Sequence, residues 1–314
     1  VEEMRAGRIN SDFREYLASG ELDAEVRFDE PMKAHTYLGI GGPADIFVVP
    51  RSAAALGEFL MAAWESRTQV LPVGGGTNLL VSDGGIEGAV VSVAALSDVK
   101  VLEEDRLSAT LYAGSGYPLA RLLRFAAEKG LKGMEGMAGI PGQVGGAVAG
   151  NAGAFSCEMK DVILRVNVMN REGKAVTLGR DELGFAYRHA ELPAGAVLLG
   201  AELRLEKDDP AEVSKRMEEF LKEKKSKQPL GRRSAGCVYK NPPGDFAGRM
   251  IEIAGCKGMR VGGIEVSAVH ANFFVNTGEG TATDYMNLMV EVASRVRTHS
   301  GVVLEPEIRM VGRC

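Results

Sequence analysis

Apolar residues recur every three or four positions in four stretches of the chain, and each stretch predicts a helix with one buried face. Over about 52–66 the set is Ala53, Leu56, Phe59, Leu60 and Ala63. After Pro118 it is Leu119, Leu122, Leu123 and Ala126, with Gly130 as a fitting stop. Over about 210–225 it is Val213, Met217, Phe220 and Leu221, opened by Asp209-Pro210-Ala211-Glu212, an N-cap residue followed by proline at the first helical position. Over about 283–298 it is Tyr285, Leu288, Met289, Val292 and Val296. Residues 1–27 interleave charges with Phe13, Tyr16 and Leu17 and predict a helical extension. Shorter apolar runs predict strands at 70–73, 88–93, from Leu107 through LSATLYAGS, and at 162–169, 174–178 and 196–205. Further strands are expected around Cys237 in SAGCVYKNP, over IEVSAVHANFFVN at 264–276, and in the closing VVLEPEIRMVG. In the last, Glu305 and Glu307 stand two apart and so face one side.

One stretch fits neither period. Residues 136–155, GMAGIPGQVGGAVAGNAGAF, carry Gly136, Gly139, Gly142, Gly145, Gly146, Gly150 and Gly153 among apolar residues and no charge. A linker of that glycine content would be filled with serine and charge. Bare, apolar-flanked backbone instead means close approach, either to another segment or to a ligand. A second glycine cluster, PVGGGTNLLVSDGG at 72–85, favours the ligand: consecutive glycines can turn several N–H groups into one concavity suited to a pyrophosphate. A plain strand turn and tight helix-on-sheet packing are the alternatives. Gly39-Ile40-Gly41-Gly42-Pro43-Ala44 matches Gly-x-Gly-x-x-Ala on paper, but a β-rich segment, Asp45 to Val49, follows where a Rossmann helix should start.

At 314 residues the chain suggests two or three domains. A net charge of -5 argues against a general nucleic-acid binder, so the basic run KEKKSKQPLGRR reads as a solvated helix end or a local anion-binding rim. Cys157, Cys237, Cys256 and Cys314 are scattered, and His35, His189, His270 and His299 show no ligand spacing; no metal is expected, and a reducing cytoplasm is. No apolar run reaches membrane-spanning length.

Taken in order, HTYLGIGGPAD, PVGGGTNLL, GMAGIPGQVGGAVAGNAGAF, AYR, SAGCVYKNP, HANFFVN and LEPEIR resemble the UDP-N-acetylenolpyruvoylglucosamine reductase family over nearly the whole chain. The resemblance implies an α+β, vanillyl-alcohol-oxidase-like fold in which two α+β subdomains clamp FAD and a C-terminal α+β domain binds substrate. The matching boundaries are an extension at 1–30, subdomains at 31–98 and 99–207, and the substrate domain at 208–314. It implies NADPH as co-substrate and a UDP-sugar as substrate; with the charge and hydropathy above, no nucleic acid, membrane or obligate protein partner is expected. Residue by residue it assigns Arg188 and Glu307 to the substrate carboxylate and Cys237, where the family usually has serine, to protonation of the α-carbon. It assigns FAD to Gly74, Gly75, Gly76, Thr77, Asn78, Leu79, Gly139, Ile140, Gly142, Gly145, Gly146, Asn151 and Gly153. Substrate contacts fall on Tyr187, Lys227 and Asn241.

The chain departs from the family at Tyr187-Arg188-His189-Ala190-Glu191-Leu192, where the pattern Tyr-Arg-x-Ser-x-Phe loses its serine. It runs directly from the strand ending at Leu205 to the helix at Pro210, without the tyrosine-bearing loop some members insert, which implies the shorter-loop type. GGGTN has no histidine, so FAD is expected to be non-covalent. Two rivals remain: a sugar or alcohol oxidase of the same fold, separated by inertness to NADPH, and a ligand-binding sensor without turnover.

Overall fold

The computed structural model describes residues 10–313; the first residues of the expected extension and Cys314 lie outside them. The described chain divides into two compact units. The first takes residues 10–30, Asp45–Gly74 and Glu87–Glu218, and the second takes Pro31–Ala44, Gly75–Ile86 and 219–313.

The first unit is built on two sheets. One runs in the order Ala24–Pro31, Pro43–Pro50, Ile86–Ser92, Val70–Val73, the last two strands parallel. The helix Ala53–Glu65, capped by Ser52 Oγ accepting from the Ala55 N–H, packs Leu56, Phe59 and Leu60 with Ile46, Val48 and Val91. The helix Ser11–Ser19 adds Phe13 and Leu17 to the same cluster, so this part of the extension is core. The other sheet is antiparallel, in the order Ala175–Gly179, Ile163–Met169, Val197–Lys207, Ser108–Gly114, Val99–Glu104. Its central strand is buried without interruption from Val197 to Leu203, as expected of a strand covered on both faces. Val197 and Leu199 join the core of the first sheet, while Leu198, Ala201 and Leu203 pack with Leu119, Leu122 and Leu123 of the helix Leu119–Glu128.

In the second unit a three-stranded antiparallel sheet (Arg260–Val261, Ile264–Val266, Phe274–Asn276) packs with the helix Ala282–Ser300. Tyr285, Leu288 and Val292 of that helix meet Leu38, Ile40, Leu80, Val238 and Tyr239 in one core. Leu79–Val81 pairs in parallel with Arg309–Val311. Asp83 accepts from the Ala282 and Thr283 N–H groups (2.8 and 2.9 Å) and from Thr283 Oγ1 (2.7 Å), capping the long helix from the far end of the sequence. Burial alone would raise the Asp83 carboxyl, but these bonds carry it below its ordinary value. Among the described residues no helix is long and apolar enough to cross a membrane.

Residues 31–44 and 75–86 pack with the C-terminal segment, where Leu79–Val81 finds its strand partner at Arg309–Val311. Some expected strands differ. The single strand expected over 264–276 is a hairpin. Ser267 Oγ accepts from the Val269 and His270 N–H groups, and His270 Nδ1 from that of Asn272, turning the chain between two short strands. The closing strand covers only Arg309–Val311, so Glu305 and Glu307 precede it, and Pro306 between them lacks the N–H a ladder needs.

Candidate functional site

The glycine stretch of the first unit presents bare backbone beside two hydrogen-bonding atoms that have no partner. Gly142 (φ 111°) leads into the short helix Val144–Ala149; its carbonyl accepts from Leu119 N–H, and Gly145 N–H donates to the Ser115 carbonyl at 2.8 Å. A Cβ on Gly145 would stand 2.8 Å from that of Ser115, whereas one on Gly146 would meet nothing within 4 Å. Gly74 lies against Gln143, its hypothetical Cβ 3.1 Å from Gln143 Oε1. Ser115 Oγ and Gln143 Oε1 are buried and make no hydrogen bond. Unmade bonds of this kind are costly, and both atoms can accept from a ligand that brings hydroxyl or N–H donors. A flavin, with a ribityl chain and a flat ring needing uncovered backbone, fits these residues. Gly139 (φ 79°) and half-buried Ile140 belong to the same stretch. Neither Ser115 nor Gln143 was singled out in the sequence, where only the glycines of their segments carry a signal.

Asn151 and Gly153 also support the turn that carries Arg188. Asn151 is fully buried, and its amide donates to Glu158 Oε2 and to the Ala186 carbonyl, both at 3.1 Å, while its Oδ1 accepts from Lys160 N–H at 3.0 Å. These three bonds use the side chain within the protein. The Ala186 carbonyl it holds opens the turn that carries Arg188, closed by paired backbone bonds between Ala186 and His189 (3.0 and 3.1 Å). Arg188 sits at φ 57° and donates from Nη1 to the Gly153 carbonyl at 3.1 Å. Ala190 N–H to Ala149 and Glu191 N–H to Leu183 anchor the strand-like exit, so backbone bonds hold the segment that lacks the family's serine. Lys160, 2.5 Å from Glu158, is the main cause of that carboxyl's pKa lying below its ordinary value, with Asn151 and Arg188 acting in the same direction. Tyr187 is exposed, with the Arg188 guanidinium 5.4 Å from its ring. Cys157, in the neighbouring hairpin, donates to the Gly133 carbonyl, and burial pushes its thiol up to about 11.

In the second unit the Cys237 segment is extended but joins no full strand. It is bridged at Cys237 to Phe273 and at Tyr239 to Pro306. Lys240 N–H donates to the Glu305 carbonyl (2.9 Å) and Glu307 N–H to the Val238 carbonyl (2.8 Å), which lays the Cys237 and Glu307 segments side by side. Asn78 joins them: its amide donates to the Glu307 carbonyl at 3.2 Å and its own carbonyl accepts from Arg309 N–H. Gly75 is exposed, and Gly76 (φ 60°) packs so closely on His35 that a Cβ would fall 2.1 Å from its carbonyl oxygen. Half-buried Thr77 precedes Asn78, and Leu79 is buried on its strand. Lys240 ion-pairs with Glu305 at 3.6 Å. Lys227 is exposed and pairs with Glu223 one turn back at 2.6 Å, and Asn241 Oδ1 caps the helix Ala247–Ile253 through the Ala247 N–H.

Comparison with known proteins matches two segments of the chain to families. Residues 44–179 match the FAD binding domain family, and residues 228–311 match the family described as UDP-N-acetylenolpyruvoylglucosamine reductase, C-terminal domain. The reductase of Rubrobacter xylanophilus is 46% identical over 290 residues, 91% of this chain and 95% of that protein. That of Lactococcus lactis subsp. cremoris is 40% identical over 92% of this chain and 96% of its own. The crystal structure of the Thermus caldophilus reductase superposes with a TM-score of 0.78 at 35% identity, covering 91% of this chain and 98% of that one. Berberine bridge enzyme, at 16% identity and a TM-score of 0.50 over 65% of this chain and 45% of its own, shares the fold alone. The chain belongs to the UDP-N-acetylenolpyruvoylglucosamine reductase family, FAD-dependent oxidoreductases of peptidoglycan precursor synthesis.

Proposed function

We propose that the protein reduces the enolpyruvyl double bond of UDP-N-acetylglucosamine enolpyruvate to give UDP-N-acetylmuramate, with Arg188, Glu307 and Cys237 acting on the substrate. Bound FAD, held without a covalent link, would supply the chemistry for hydride delivery from NADPH to the substrate's double bond. That delivery builds negative charge on the substrate carboxylate. Arg188, whose side chain is braced on the Gly153 carbonyl, supplies the opposing cation, with Glu307 as the second group at the carboxylate. Cys237 gives its thiol proton to the α-carbon. Tyr187, Lys227 and Asn241 contact the UDP-sugar, and the uninterrupted passage from Lys207 to Pro210 leaves that site without an inserted loop. Gly74 to Leu79 and the 139–153 glycines take the cofactor, joined by Ser115 and Gln143. Nucleotide-sugar and NADPH chemistry place the reaction in the cytoplasm.

The observation that carries the reading is the direct backbone pairing of the Cys237 segment with the Glu307 segment, two short stretches otherwise far apart in sequence. Incubation of the holoprotein with NADPH and UDP-N-acetylglucosamine enolpyruvate, with the product weighed by mass spectrometry, tests it. A product heavier than the substrate by two hydrogens is expected. Flavin that NADPH does not bleach, with peroxide formed from a sugar or alcohol, would establish the oxidase instead.

A further inference from the structure

Asn272 belongs to HANFFVN, a segment with no role so far. It lies in the turn between Ile264–Val266 and Phe274–Asn276 and is 1% exposed. Its carboxamide makes both hydrogen bonds that a neighbouring strand would make to one residue. Oδ1 accepts from the Tyr239 N–H at 3.0 Å, and Nδ2 donates to the Tyr239 carbonyl at 2.8 Å. Its main-chain carbonyl accepts from the Val238 N–H at 2.9 Å. A primary amide offers a donor and an acceptor side by side without charge, so it replaces a strand where the chain provides none. These three bonds fall on the two residues that follow Cys237, and Cys237 itself is bridged to Phe273, the residue after Asn272. On its other side Cys237 has Gly236 at φ 76°, a residue with little conformational restraint of its own.

Asn272 is itself fixed. Its N–H donates to His270 Nδ1 at 3.2 Å, and the His270 ring packs edge-on against Phe273 and close over Gly248. A buried polar group in an otherwise apolar run needs a paired partner, and here the pairing is to the backbone beside the thiol.

We propose that Asn272 is a positioning residue: it fixes the backbone beside Cys237 so that the thiol meets the substrate α-carbon in one geometry. The proposal rests on Cys237 as proton donor. In that step hydride has already reached the β-carbon. The S–H bond of Cys237 breaks, a C–H bond forms at the α-carbon, and the thiolate regains its proton from water, with Asn272 exchanging nothing.

The test uses FAD-loaded Asn272→Ala and Asn272→Asp proteins, each alone and combined with Cys237→Ala, with the two half-reactions followed separately in the absence of oxygen. NADPH is expected to bleach the flavin at the parent rate in all of them. Reoxidation by UDP-N-acetylglucosamine enolpyruvate is expected to slow about 10²-fold in the Asn272 variants, the cost of a misplaced group, with its dependence on substrate concentration unchanged. Placed on Cys237→Ala, the Asn272 substitutions should add no further slowing, because the group they position is gone. Should Asn272→Ala not fold, the near-isosteric Asn272→Asp, which keeps the acceptor for Tyr239 N–H and loses the donor, and Asn272→Ser supply the same comparison. Slow Cys237→Ala with parent-rate Asn272 variants overturns the proposal alone. So does full additive slowing in the double variants. Parent-rate reoxidation in Cys237→Ala overturns the donor assignment and the proposal with it.

Discussion

In the first unit a buried asparagine, Asn151, steadies the turn of Arg188; in the second a buried asparagine, Asn272, steadies the segment of Cys237. Asn151 divides its bonds among a carboxylate, a carbonyl and an N–H, and the carboxylate, Glu158, is tied in turn to Lys160. Asn272 bonds with its side chain to one backbone residue alone, Tyr239. The contrast follows the groups they serve. A guanidinium can be held by a network that shares its electrostatics, but that network responds to pH and salt. For a thiol proposed to give up its proton, a neutral latch fixes position and leaves charge alone.

The largest break in this comparison lies upstream of both. Gly146→Val fills the open space over the glycine stretch without striking the fold, so the purified protein should be folded yet colourless. Absorbance at the flavin bands beside circular dichroism measures this, and a yellow, active variant would remove the stretch from the cofactor site. Next, Cys237→Ala should slow reoxidation of reduced flavin by substrate roughly 10²–10⁴-fold, and Arg188→Met about 10²–10³-fold, with bleaching by NADPH unchanged in both. Cys237→Ser should keep substantial activity. Equal slowing of both half-reactions would mark either residue as structural. Smaller again, Asn151→Ala should cost about 1–3 kcal/mol in a urea titration, because the Lys160 N–H loses its acceptor and Glu158 and the Ala186 carbonyl each lose a donor. Its reoxidation rate should fall roughly tenfold, less than for Arg188→Met, since Gly153 still braces the guanidinium. A variant as slow as Arg188→Met would mean that the turn has no other support.

The smallest effect concerns pH and belongs to the neutral latch. Burial holds the His270 pKa below its ordinary 6.5, with Lys257 acting in the same direction and Glu252 opposing. The unfolded chain therefore takes up a proton at higher pH than the folded one. The neutral ring's contribution is complete above pH 6.5 and is lost as pH falls from there toward the folded value. Urea unfolding at pH 7.5 and 5.5 should show the parent losing more stability than His270→Gln, which keeps an acceptor but does not titrate. Identical slopes would clear His270 of the effect.

The helices were legible because one-sided burial imposes its spacing on the sequence: Leu119, Leu122, Leu123 and Ala126 are all buried on one helix. The hairpin over 264–276 was not, because Ser267, His270 and Asn272 make it with side-chain-to-backbone bonds that leave no period behind. Arg188, Cys237 and Glu307 could be marked from motifs, which speak for identity and not for support. What holds Arg188 in the absence of the family's serine was invisible, since the answer is a set of backbone bonds and an asparagine 35 residues before Ala186. Asn272 did leave a trace, a polar residue inside an apolar run, and a polar side chain there must be paired. Ser115 and Gln143 left none.

The strand Leu79–Val81 bears on how the chain comes into being. Its partner is Arg309–Val311, and Asn78 bonds across 229 residues to Glu307. Asp83 reaches the long helix across 199. A chain emerging from the ribosome carries Leu79–Val81 without its strand partner for most of its synthesis. The first unit has all of its residues once Glu218 is out, whereas the second waits for the final strand. Stalled nascent chains ending near Gly301 should therefore be cut by protease within 75–86, and chains extended past Val311 and clear of the exit tunnel should not.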